Sequence, residues 1–199
     1  MPTLHRARLL HTGTRTLRDA AVLVDGATVT AIGPYAALAD GPARVRDWPG
    51  VLVPGLLNPH AAWLLEHAYH PDPREELGDH PLPPPAGLTD GQWGGSARRG
   101  LQRLLGHGAT ALAGPLHRPA VRTATARSGL RHLPGPDTGP GPLDPLAGRP
   151  LANAVHRPLA VGAAADFAVF AAATVEELDG GGAACLATVL GGRLVYRRA

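Results

Sequence analysis

Four side chains able to bind a metal or move a proton crowd one stretch of this chain: His60, Glu66, His67 and His70. If Trp63 to Tyr69 is helical, His67 and His70 share one face. Imidazoles and carboxylates are ligands for divalent ions such as zinc. An ion held by about three of them, with one position open, lowers the pKa of bound water enough to make a nucleophile near neutral pH. Two readings stand side by side: a compact His-Glu-His-His centre, or solvated polar residues at a helix end beside a loop. The chain has 10 histidines, so some clustering arises by chance, which favours the second. His107, His117 and His132 recur at irregular spacing and read as surface or hydrogen-bonded core residues. Asp137 and Asp144 lie among prolines, a setting that holds a catalytic base poorly. Cys185 is the single cysteine, which excludes an internal disulfide and any CxxC site. It falls on an apolar strand, so a buried, inert thiol is expected. No Ser-His-Asp arrangement, phosphate loop or dinucleotide fingerprint is present.

The elements that would position these groups fall into three stretches. Over the first, Leu4 to Leu10 and Ala20 to Val24 read as strands. Asp25-Gly26 is a hairpin signal, and Thr28 to Ile32 returns. Pro34 opens a helical turn through Leu38, and Val45 to Trp48 and Val51 to Val53 read as two further strands of an antiparallel sheet. In the middle, Leu56 to His60 is extended and Ala61 to Tyr69 helical. Residues 71–95 read as a proline-rich, disordered loop, and Ser96 caps a helix running through Leu101, Leu104 and Leu105 to Gly106. Ala109 to Ala113 is a strand, Pro119 to Arg127 a helix ended by Gly129, and 134–150 a Pro/Gly-rich linker. In the tail, Ala165 to Phe170 is a strand and Thr174 to Leu178 a helical turn. Cys185 to Leu190 and Arg193 to Arg197 form a hairpin about Gly191-Gly192. A lone terminal hairpin is marginal, so the two ends of the chain are expected to pair.

Composition narrows the function classes. Gly (26) and Pro (21) are abundant, yet 44% of the 199 residues are apolar, enough for a core between loops. The 19 basic residues are all arginine and are scattered, and aromatics make up only 4%, too few for base-stacking platforms; nucleic acid is not an expected partner. No apolar run approaches the ~20 residues of a membrane span. Arginines interrupt the first thirteen residues where a signal peptide stays apolar, so a cytoplasmic protein is expected.

Two motifs carry a family likeness. Val53-Pro54-Gly55-Leu56-Leu57-Asn58-Pro59-His60 resembles the P-G-L-hydrophobic-[DN]-x-H-x-H run of the amidohydrolase superfamily, in particular its imidazolonepropionase and aminodeoxyfutalosine deaminase branch. Leu159-Ala160-Val161-Gly162-Ala163-Ala164-Ala165-Asp166-Phe167-Ala168-Val169-Phe170 resembles that family's return into its small sheet domain, and Val189 to Arg197 its closing hairpin. Gly108 to Leu112 and Ser128 to Arg131 are weaker echoes of the second and third barrel strands. The resemblance implies an α+β fold: a composite antiparallel β-sandwich from residues 1–53 and 151–199, with an inserted partial (β/α) barrel remnant at 54–133. A full barrel needs ~250 residues, so two or three strand-helix units are all that fit.

By this resemblance the chain is a metal-dependent hydrolase of carbon-nitrogen bonds other than peptide bonds, degenerate at its metal site. The family's ligands are two histidines on the first strand, two more on later strands and a final aspartate. His60 matches the first, the second falls on Ala62, and the later strands have no counterpart. A divalent metal such as Zn, coordinated in part by a vestigial His60, is the implied cofactor, and no catalytic residue is assigned. Asp166 belongs to the small-domain motif, with a turn or capping role. The alternative is a non-catalytic binding or subunit-interaction module on the same fold. Open strand edges of a partial barrel imply a homo-oligomer or a partner subunit.

Overall fold

The computed structural model describes residues 1–199. The chain opens with a meander, β1 (Thr3–His11), β2 (Thr16–Asp25) and β3 (Thr28–Pro34), followed by a one-turn helix α1 (Tyr35–Leu38) and β4 (Arg44–Pro54). After the middle segment come β8 (Phe167–Phe170), β9 (Cys185–Leu190) and β10 (Arg193–Arg197). These form one seven-stranded sheet in the order β10-β9-β8-β4-β1-β2-β3. Both ends of the chain do pair, through β4 against β8, in the register Val51↔Phe170 to Pro54↔Phe167.

The sheet is mixed, which corrects the expectation of an antiparallel one. β4 runs parallel to β1, from Thr3↔Arg44 to Leu10↔Leu52. The reason is topological: after β3 the chain crosses back through α1 to the far side of β1, and such a return delivers a strand in β1's own direction. The two strands expected at 45–48 and 51–53 are one. A register shift between Ala7 and Leu9 absorbs the Pro49-Gly50 irregularity, so pairing with β1 continues across it.

One face of the sheet packs on itself. Ala7, Leu10, Val22, Val29, Trp48, Leu52, Phe167, Val169 and Val189 form a core without any helical residue. Curling makes this core: Val29 N–H donates to Ala163 O and Gly192 N–H to Ala165 O. The Gly191-Gly192 turn, with φ of 54° and 74°, supplies the two left-handed residues that a tight hairpin between β9 and β10 demands.

Between β4 and β8 lies a three-stranded parallel sheet, β5 (Leu56–Asn58), β6 (Ala109–Ala113) and β7 (Arg131–Leu133), with β6 central. Helices α2 (Ala61–His67) and α3 (Asp90–Gly106) join β5 to β6, and α4 (Pro119–Ser128) joins β6 to β7. Leu65, Leu101, Leu104, Leu112, Val121 and Ala124 form their shared core. A short α5 (Leu151–Ala154) precedes the return to the large sheet, and a 3-10 turn spans Glu176–Leu178.

The start of α3 departs from expectation. Its N-cap is Thr89, not Ser96, and Thr89 and Gln92 form a reciprocal capping box. Residues 90–95 are therefore helical rather than part of the loop. The remainder of 71–95 holds a 3-10 turn at Pro73–Glu75 and a bridge between Tyr69 and Leu82. Ser96 Oγ instead accepts from His70 N–H at 2.9 Å.

Candidate functional site

The C-terminal ends of β5, β6 and β7 open toward one side, and the sequence places its first motif there. Asn58 ends β5 and His60 is the N-cap of α2. In a parallel sheet these ends are where ligands bind, so their surroundings decide what chemistry is available. Asn58 is fully buried. Its amide donates to Pro142 O at 3.0 Å and to Leu143 O at 2.8 Å, while its Oδ1 accepts from His60 N–H at 2.8 Å. His60 Nδ1 lies 3.2 Å from Gly139 O and 3.3 Å from Thr138 Oγ1. Thr138 Oγ1 also donates to Pro59 O at 2.7 Å. Gly141 packs flat on the imidazole: a Cβ there would sit 2.2 Å from His60 Cγ.

Residues 137–143 thus form a strap across the end of β5. The segment read as a linker is held by the two polar residues of the motif, Asn58 and His60. Asp137 and Asp144, considered as remnants of a catalytic base, shape the backbone: Asp137 Oδ1 accepts from Gly139 N–H at 3.0 Å, and Asp144 Oδ1 from Leu146 N–H at 2.9 Å.

The other members of the His-Glu-His-His cluster point to different places. Glu66 is buried, at 3% exposure, and is not the solvated residue expected of a helix end. Its Oε1 accepts from His117 N–H at 2.8 Å and Arg118 N–H at 3.0 Å, covering donors that α4 leaves open at its start. His67 is exposed and tilts against Trp63, with ring centroids 5.5 Å apart. His70 is also buried, with Nε2 3.2 Å from Leu64 O. Burial pushes its pKa down to about 4, only partly offset by the Leu64 carbonyl. It is a neutral core histidine wedged against Gly100.

The remaining candidates either serve the fold or face solvent, His117 and His132 being exposed. His132 Nε2 lies 2.7 Å from Gly114 O, and His156 Nε2 lies 3.3 Å from Thr110 Oγ1. Burial lowers the pKa of His107 and of His156. Cys185 is buried and its thiol is pushed up to about 11 by that burial, as an inert thiol should be. Asp166 performs the turn role expected of it: Oδ1 accepts from Gly191 N–H at 2.7 Å, and Oδ2 pairs with Arg131 at 3.4 Å and Arg157 at 3.3 Å.

A metal does not fit this arrangement. No three His, Cys, Asp or Glu side chains converge anywhere in the fold. Ala62, at the second motif position, is buried and has no donor atom. His60 Nδ1 faces a carbonyl and a hydroxyl, and glycine backbone covers its ring. A catalytic ion needs about three ligands around one point, and His60 stands without companions.

Sequence reasoning singled out His60 and overlooked its partners. Asn58 was in view as a motif letter. Thr138 and Gly141 lie some eighty positions away in a proline-glycine stretch with no local signal to tie them to β5.

No family model matches the chain, and no curated protein matches it. Among solved structures it is similar to an adenosine deaminase from Xanthomonas campestris with bound Zn, at TM-score 0.49 and 19% identity, over 66% of this chain and 33% of that one. It is similar to guanine deaminase from Bradyrhizobium japonicum at TM-score 0.48 and 16% identity, over 68% and 35%. It is similar to A. niger ochratoxinase at TM-score 0.46 and 22% identity, over 67% and 31%. The chain spans about a third of the length of these structures.

Proposed function

We propose that this chain is an amidohydrolase-like protein whose frame is retained and whose metal-dependent hydrolysis of carbon-nitrogen, non-peptide bonds is lost, leaving a binding or subunit-interaction module. On this reading the curled sheet of both chain ends is the composite sandwich of that fold, and β5 to β7 with α2 to α4 are the first units of its barrel. The two motifs support the relationship. Each stands at a crossing between the two sheets: Val53 to His60 leads out of β4 into β5, and Gly162 to Phe170 leads back into β8.

The observation that carries the loss of hydrolysis is the bonding of Asn58 and His60. In a hydrolase of this kind the donor atoms at the end of the first strand face the reacting centre. Here they hold residues 138–143 in place. Water activation would need at least two more ligands and a positioned acid-base group; Asp137, the other candidate in the strap, turns Oδ1 to Gly139 N–H, and no three His, Cys, Asp or Glu side chains converge there.

The interaction role rests on the outer edge of β7. This strand has β6 on one side and no strand on the other. A second copy or a partner chain laid against it would satisfy the edge.

Metal analysis of untagged protein tests the first part: substoichiometric zinc, nickel and manganese are expected, with no turnover of cyclic amides or aminopurine nucleosides. A full metal equivalent that disappears in His60→Ala would overturn it. Sedimentation tests the second, and a clean monomer at all concentrations would count against it.

A further inference from the structure

The loop between α2 and α3 carries Pro81-Leu82-Pro83-Pro84-Pro85, a run that neither the strap nor the edge of β7 uses. Its conformation follows from the residue types. Each proline ring fixes its own φ near about −65°. His80, Leu82, Pro83 and Pro84 each precede a proline, and the clash with that ring keeps them out of the helical region, in extended or polyproline II geometry. The structure agrees: residues 83–85 lie outside every helix and strand, and their peptide bonds are trans. A polyproline II segment of this kind has its shape before any partner arrives.

The base of the loop is pinned to the fold. Tyr69 N–H donates to Leu82 O at 2.8 Å, and Leu82 N–H to Tyr69 O at 2.9 Å. Arg99 pairs with Asp72 and donates to His70 O, while Arg103 pairs with Asp79 and donates to Pro71 O. On the far side Gly87 turns the chain, with φ of 75°, and Thr89 caps α3. Between these anchors Leu82 is half-buried, whereas Pro83, Pro84 and Pro85 are exposed. No backbone N–H of the fold reaches their three carbonyls, and prolines have no N–H of their own to donate. The tip thus offers apolar rings and free acceptors in one fixed shape.

We propose that Pro83-Pro84-Pro85 is a docking ligand for a partner protein with a groove lined by aromatic side chains. Such a groove packs flat rings on pyrrolidines and donates from a tryptophan indole or tyrosine hydroxyl to the carbonyls between them. Little chain entropy is lost on docking, because the segment is already ordered and its base is held. A second copy of this chain has no such groove. Five of its eight aromatic side chains are buried, and Tyr35, Trp63 and Tyr196 sit singly on α1, α2 and β10, against Arg6, His67 and Gly106. The occupant is a different protein. This surface shares no residue with the strap or with β7, so it stands whether or not hydrolysis or self-association is found.

Titrating the full chain into isotope-labelled WW and SH3 domains tests this, read at the indole N–H signal of the groove tryptophan. That signal should shift in at least one of the two domains, with a Kd of about 0.1–1 mM, and a decaproline peptide should displace the chain. The double variant Pro83→Ala, Pro84→Ala should bind about tenfold more weakly. Its thermal midpoint should stay close to that of wild type, because both rings are exposed. The competition uses wild type alone, so it decides the question even if the variant is destabilised. No shift in either domain, binding that survives saturating decaproline, or equal affinity of a folded variant would overturn the proposal.

Discussion

Replacing Asn58 by aspartate tests the strap with the smallest change of shape. The introduced carboxyl keeps the oxygen that accepts from His60 N–H and, while protonated, offers one O–H donor where the amide gave two, to Pro142 O and Leu143 O. One lost hydrogen bond costs about 1 kcal/mol. The position is fully buried and faces two carbonyl dipoles, so the carboxyl resists ionisation in the fold. If its pKa rises by about two units above the unfolded value near 3.9, the penalty at pH 7.5 grows by about 3 kcal/mol. The sign follows from proton uptake: above pH ~3.9 the unfolded chain releases a proton that the folded state retains, so the penalty grows with pH until the folded pKa is passed. Urea unfolding of wild type and Asn58→Asp should give a difference of about 4 kcal/mol at pH 7.5, shrinking toward about 1 at pH 4. Comparing the two proteins at each pH cancels the titration of every other group. Thermolysin should then cut the variant near Leu143 and Leu146 under conditions that leave wild type intact. A difference under about 1 kcal/mol at pH 7.5, unchanged with pH and with no new cleavage, would refute the idea that Asn58 holds residues 137–143.

Three further outcomes are expected. His5 and His70 are buried with pKa values lowered to about 4, His5 chiefly by burial and then by Arg46. The unfolded chain takes up these protons below pH ~6.5, so stability is complete above 6.5 and falls by about 3 kcal/mol per histidine on going to pH 4; denaturation midpoints across that range, flattened in His5→Gln, check it. Glu66→Ala uncovers His117 N–H and Arg118 N–H and should cost about 2–3 kcal/mol in urea unfolding, with Glu66→Gln costing less because an acceptor oxygen remains. Cys185 should resist a disulfide reagent in the native protein at pH 8 and react only as fast as the fold opens; rapid stoichiometric labelling would contradict its burial.

What the sequence made legible was local. The Gly191-Gly192 turn, the alternating strands around it and the helix from Pro119 to Gly129 each carry their signals within a few residues. The start of α3 was missed because Gly91, Gly94 and Gly95 dilute helix propensity, although Thr89 and Gln92 spell a capping box. The parallel placing of β4 depends on where α1 returns the chain, which no window of residues reports. The site was half legible: the letters of the first motif were readable, but their employment was not. Asn58 and His60 find their partners in a proline-glycine segment whose composition looks like that of any linker. Glu66 and His70 looked solvated because polarity alone was read, whereas α4's opening amides and the Leu64 carbonyl draw them inward.

The joining of β4 to β8 has a consequence for how the chain is made. Val51, Leu52 and Val53 leave the ribosome long before Phe167 to Phe170, the strand that closes their edge. During that interval a growing polypeptide carries an open apolar ribbon, inviting chaperone capture or mispairing with a neighbouring nascent chain. Premature termination before β8 therefore strands the beginning of the protein as well as deleting its end, and synthesis speed through the proline-rich middle sets how long that exposure lasts.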